Sequence, residues 1–171
     1  MTTTTAARRP VVGWLIALAG LLAGLAILIV NYAPSFGGTW FVIAEYAALT
    51  LAFLFLVLGR STPLILRVTF AIATVGWAIL VVGGLVSIGV VLTVGFWLAL
   101  VGSLISGILV VSRLLFSNIA SVVFLLATIV IAVVFVNLIV GPFYAGTLVV
   151  VTAVAYAVLL LLAGVLIALR K

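Results

Sequence analysis

Six apolar runs divide the chain: Val11–Asn31, Trp40–Gly59, Val68–Ile88, Val91–Ser112, Ile119–Ile139 and Thr147–Leu169. A helical run of about 20 apolar residues covers a hydrocarbon core of roughly 30 Å at 1.5 Å per residue. A strand of a membrane barrel needs only about 10 residues, with alternating polarity, and these runs show neither that length nor that alternation. The pattern therefore predicts an all-α, polytopic membrane protein of six transmembrane helices. One boundary needs argument, because the only break between the third and fourth runs is the cluster Gly83, Gly84, Ser87, Gly89, Thr93 and Gly95. An unbroken helix there would be about twice as long as a bilayer is thick, which places a tight turn near Ile88 to Thr93.

The basic residues fall between the runs in a regular way. Arg8 and Arg9 precede the first, Arg60 and Arg67 separate the second from the third, Arg113 separates the fourth from the fifth, and Arg170 and Lys171 follow the sixth. With six spans all of them lie on one side, and short loops rich in Lys and Arg stay cytoplasmic. Both termini are therefore expected in the cytoplasm. The opposite gaps carry aromatics, with Trp40-Phe41, Phe96-Trp97 and Phe143-Tyr144 opening the returning helices as an interfacial belt. Recurring at intervals of about fifty residues, these pairs suggest three helical hairpins.

Residues 1–10 (MTTTTAARRP) are polar and without hydrophobic period, and read as a disordered cytoplasmic tail. Residues 11–171 leave room for a single six-helix transmembrane domain. The first run exceeds the apolar region of about 7–15 residues found in a signal peptide, so it is expected to stay as the first helix.

Composition agrees with this class and removes most chemistry. The chain is 70% hydrophobic and 5% charged, where soluble proteins average about 25% charged. Its net charge of +6 is scattered between apolar runs. It reads as a topology signal, with the lipid bilayer as partner and no nucleic acid. The chain has no His, no Cys and one acidic residue. That set provides no catalytic triad, no pair of carboxylates, no metal ligands and no phosphate loop, so no enzyme, no cofactor and no metal is expected.

The one acidic residue is Glu45, inside the second run, and an intramembrane carboxylate is a functional candidate by default. Phe41, Ala48, Leu49 and Ala52 share its helical face, which turns it toward protein. About five residues past Trp40, it lies roughly 8 Å below the interface at 1.5 Å per residue. Asn31, Glu45 and Asn137 all lie toward the outer side and form a candidate polar pocket. A purely architectural reading stands beside it, in which Glu45 is hydrogen-bonded to a neighbouring Asn or Tyr. Small residues also recur four apart: Ala19, Ala23, Gly20 and Gly24; Ala44, Ala48 and Ala52; Ala99, Ser103 and Gly107. Such stripes let helices approach closely, within the bundle or against a partner.

The hairpin Val75–Leu115 (VGWAILVVGGLVSIGVVLTVGFWLALVGSLISGILVVSRLL) resembles the HdeD family of small six-helix bacterial membrane proteins. That resemblance implies a multi-pass protein of the bacterial inner (plasma) membrane, associated with acid stress. Ala19-x-x-x-Ala23 is also similar to the docking helix of vitamin-binding subunits of energy-coupling-factor transporters. Two functions are expected from different classes. One is a non-enzymatic accessory or stress-associated protein working through helix contacts with itself or other membrane subunits. The other is a transporter or channel subunit for a small solute or ion, using Glu45.

Overall fold

The computed structural model describes residues 3–33, 37–59, 62–113, 116–140 and 147–169, with side chains described for 10–33, 37–59, 62–112, 116–133 and 150–169. It contains six helices: α1 (Thr3–Tyr32), α2 (Thr39–Val57), α3 (Leu64–Val86), α4 (Gly89–Arg113), α5 (Asn118–Val140) and α6 (Thr147–Ala168). Within five of them, Pro10–Tyr32, Thr39–Val57, Leu64–Val86, Gly89–Ser112 and Val150–Ala168 are long and apolar enough to cross a membrane. In α5, the stretch Asn118–Val133 is apolar and shorter.

Two boundaries differ from the sequence expectation. Residues 3–10 are the opening turns of α1 rather than a disordered tail, with Pro10 inside the helix. Ala6, Ala7, Arg8 and Arg9 are good helix formers, and this local preference outweighs the lack of an apolar face. The turn between α3 and α4 comes earlier than Ile88–Thr93. Ser87 ends α3 in the left-handed conformation, at φ 55 and ψ 33. The next helix has already begun when Thr93 is reached, since the Thr93 hydroxyl donates to Gly89 O at 3.0 Å. One left-handed residue at a helix end reverses the chain without a long loop.

Each helix packs on the next in sequence, and α1 also packs on α6, so the contacts form a closed circuit. Two of these contacts are closer than the rest: α1 on α6, and α3 on α4. Both are made by backbone meeting backbone at small residues. A Cβ added to Gly20 would come within 2.5 Å of Leu161 N, and one added to Gly102 within 2.5 Å of Ala73 N. Cβ atoms at Gly164 and Gly76 would each come within 2.6 Å of a partner Cα, that of Ala17 and of Ala99 respectively. Partner numbers fall as the glycine numbers rise in both cases, so both pairs are antiparallel. With lipid outside, burial of apolar surface gives helices little reason to associate, and dispersion across such close seams takes its place.

Larger side chains fill the space between the seams. Phe53 of α2 meets Phe70 of α3 and Phe124 of α5, with ring centroids 5.8 and 6.2 Å apart. Phe116 closes the cluster against Phe124 at 6.2 Å. Aliphatic and aromatic residues cover the outside, with Trp14, Leu21 and Leu28 on α1 and Val151, Val154, Val158 and Leu162 on α6 all exposed. Their helical spacing marks a lipid-facing stripe along each of these helices.

Candidate functional site

α2 carries Glu45 because its buried stripe, Glu45, Ala48, Leu49, Ala52, Phe53 and Leu56, recurs every three or four residues. The carboxyl stands at the N-terminal end of that stripe, beside small residues that admit a neighbouring side chain. Glu45 is 6% exposed. Its partner comes from the far end of the chain: the Tyr156 hydroxyl of α6 donates to Glu45 Oε1 at 3.0 Å. Tyr156 is itself 5% exposed.

This contact differs in kind from the seams. Among the described residues, the backbones of α2 and α6 do not approach closely. Two long side chains bridge them instead. A phenol is suited to that reach because its ring is apolar along its length and its hydroxyl carries one donor at the tip.

A second polar contact lies alongside. Tyr46, next to Glu45 in sequence, places its ring 5.5 Å from that of Trp77 on α3. The Trp77 indole N–H donates to Ser103 Oγ of α4 at 3.2 Å. Buried polar groups on α2, α3, α4 and α6 are thus joined in pairs, as burial in an apolar interior requires. Most remaining hydroxyls turn back on their own helix: Thr50 to Tyr46 O, Thr69 to Leu66 O, Thr74 to Phe70 O and Thr128 to Leu125 O, at 2.7 to 3.1 Å. The Ser106 and Ser121 hydroxyls are buried without a hydrogen-bond partner among the described residues. These two serines serve as small residues at helix contacts.

Of the residues expected to form a polar pocket, Glu45 is buried in this way and Asn31 is not. Asn31 is exposed and donates its side-chain amide to Ile27 O at 2.7 Å. The Asn137 side chain lies outside the described residues. Tyr156 lies inside the sixth apolar run, and nothing in the sequence spacing singles it out as the partner. The small-residue stripes are mostly turned inward. Ala19, Gly20, Ala23, Ala48, Ala52, Ala99, Ser103 and Gly107 are buried, Gly24 is half-buried and Ala44 is exposed.

Chemically the site is one carboxyl with one phenol donor, able to hold the two helices together or to exchange a single proton. A group of three or more His, Cys, Asp or Glu side chains able to hold a metal ion is absent among the described residues. Comparison with known proteins finds no matching family, no matching curated protein and no matching solved structure. Fold and composition define the class by themselves: the chain is an integral membrane protein built as an all-helical bundle.

Proposed function

We propose that the protein is a non-enzymatic accessory protein of the plasma membrane, possessing six spans and cytoplasmic termini, and that its lone carboxyl is architectural. The observation that carries this reading is the Tyr156 to Glu45 hydrogen bond. It satisfies the one acidic side chain with a donor from a distant helix, so the charge-bearing group in the bundle has a partner within the fold. The inward-turned small residues support the same reading, because they leave the outer surface to large aliphatic side chains. Contacts with a second copy or with another membrane subunit would then use that aliphatic surface rather than glycine stripes. The bacterial, stress-associated setting of the HdeD-like resemblance fits such a role.

Proton flux into liposomes across an imposed pH gradient tests it, with the wild type compared with Glu45→Gln. The accessory reading expects the two to be alike and low. Flux that disappears in the variant, with normal protein levels, assigns the protein to transport. That second reading has one observation in its favour: the Glu45 bond spans backbones that are not packed together, so it can open without separating a seam.

The orientation rests on the seven basic residues and is tested by adding single thiols to the Cys-free chain. Thr39 and Thr93, both exposed, should react from outside intact cells, while exposed Leu64 and Asn118 should not. Thr62 is unsuitable as an inner reporter because it is buried and donates to Leu56 O at 3.1 Å. Labelling of Leu64 with protection of Thr39 would reverse the orientation.

A further inference from the structure

The six helices divide into two equivalent halves. VGWLIALAGLL at residues 12–22 of α1 returns as VGFWLALVGSL at residues 94–104 of α4, with Val, Gly, Ala, Leu, Gly and Leu at matching places. The backbone contacts repeat in the same register. Gly13 meets Ala168 as Gly95 meets Leu80, Gly164 meets Ala17 as Gly76 meets Ala99, and Gly20 meets Leu161 as Gly102 meets Ala73. The α1/α6 seam is therefore the counterpart of the α4/α3 seam, which makes α1, α2 and α3 the counterparts of α4, α5 and α6. Three reversals of the chain separate α1 from α4, so the halves run in opposite directions, as in an inverted repeat.

Within each half the middle helix packs on its two neighbours, and the halves meet backbone to backbone at the two seams, on opposite sides of the circuit. At the seam glycines no side chain has to climb over another when one half turns on the other. The Trp77 to Ser103 hydrogen bond lies at the α3/α4 seam itself, close to such a pivot. Away from the seams, α2 and the opposite half are joined across the interior by side chains. At the end of the bundle where α2 begins, Tyr156 reaches Glu45, within roughly two turns of the start of α2. At the other end Phe53 meets Phe124, and Phe70 and Phe116 enlarge that contact, with Phe70 and Phe124 within roughly two turns of the starts of α3 and α5.

Equivalent halves are thus closed at their two ends by unequal contacts. The phenylalanine cluster loses many dispersion contacts if it parts, whereas the crossing loses one hydrogen bond, and water entering the gap satisfies both of its groups. Inverted repeats in membrane transporters rock one half against the other about a fixed middle. We propose that α1, α2 and α3 form one rigid body and α4, α5 and α6 another, that the two pivot on the glycine seams, and that the Tyr156 to Glu45 hydrogen bond is the latch of the end that opens. The phenylalanine cluster keeps the other end shut. Opening admits water to Glu45 and Ala48 from one end and leaves no path through the bundle. The accessory role then has two states of the protein to work with, and neither requires a solute to pass.

Pairs of thiols added to the full Cys-free chain, spin-labelled in lipid nanodiscs and measured by pulsed electron paramagnetic resonance, test the latch. All the labelled sites are exposed. Thr39 and Val151 report the latched end across the halves, Leu64 and Ile119 report the other end across the halves, and Thr39 and Val86 report the latched end within one half. Each pair should give one main distance in the wild type. Tyr156→Phe should add a longer distance to the Thr39/Val151 pair alone. Glu45→Leu, which removes the same bond from the other side, should do likewise, so the outcome does not hang on one variant folding. Unchanged distances in both variants overturn the proposal. A longer distance in all three pairs shows a bundle that loosens as a whole, a longer Thr39/Val86 distance shows α2 moving alone, and either result also overturns it. None of these readings depends on proton flux, which tests the accessory role separately.

Discussion

The two glycine seams and the Glu45 crossing hold helices together by opposite means. At the seams, α1 on α6 and α3 on α4, side chains are missing and backbones meet, so the contact is long, dry and distributed over many weak dispersion contacts. At the crossing, the backbones of α2 and α6 stay apart and one hydrogen bond of 3.0 Å spans the gap. A seam can fail only by separating over its whole length. The crossing can open at a single bond. Rigidity and adjustability are therefore located at different contacts of the same bundle, with α6 taking part in both.

The seams should be the most sensitive to substitution. Gly164→Leu places its side chain against the backbone of Ala17, and Gly76→Leu places it against that of Ala99. Neither neighbour is a flexible side chain that can move aside. Both variants should lose the monodisperse peak in size-exclusion chromatography in mild detergent, whereas Gly89→Leu, with nothing within 4 Å of the added Cβ, should elute as the wild type. Survival of Gly164→Leu would show that α1 and α6 are not in backbone contact.

Next in size is the aromatic cluster that fills the space between seams. Phe124→Ala removes a side chain that is 1% exposed and touches both Phe53 and Phe116. Large-to-small changes of this kind destabilise by about 3–5 kcal/mol. Thermal unfolding followed by tryptophan fluorescence should show a clearly lowered midpoint, with the variant still folded at low temperature. The exposed Leu28→Ala on α1 should leave the midpoint near that of the wild type.

The crossing itself should give the smallest effects. Tyr156→Phe leaves the Glu45 carboxyl buried without its donor, a penalty of about 1–3 kcal/mol. Glu45→Gln keeps the shape and an acceptor oxygen and should be milder. Glu45→Leu should cost an amount similar to Tyr156→Phe, because it leaves the buried Tyr156 hydroxyl without its acceptor.

Much of the bundle could be read from the sequence, because apolar runs of bilayer length and basic residues confined to alternate gaps both follow from the solvent around the protein. The inward face of Glu45 could be read as well, from Ala48, Leu49 and Ala52 at helical spacing. Helix ends were less legible. Ser87 in a left-handed conformation ends α3, and Ser carries no signal as strong as glycine for that role. Residues 3–10 are helical because of local preference, which a search for apolar period does not see. The partner of Glu45 was not legible at all. Tyr156 is far away in sequence, and the closure of α1 on α6 that brings α6 near α2 depends on Gly13, Gly20 and Gly164 meeting backbone, a match of register between two distant helices.

A double-mutant cycle between Glu45 and Tyr156 tests the central claim most directly, with unfolding midpoints measured for wild type, Glu45→Leu, Tyr156→Phe and the double variant. If the carboxyl is architectural and Tyr156 is its donor, the two changes are coupled by about 0.5–3 kcal/mol, and the double variant recovers most of the stability lost in Tyr156→Phe. Strict additivity, with the double variant as unstable as the sum of the single changes, would mean that the hydrogen bond does not hold α2 to α6, and would contradict the account.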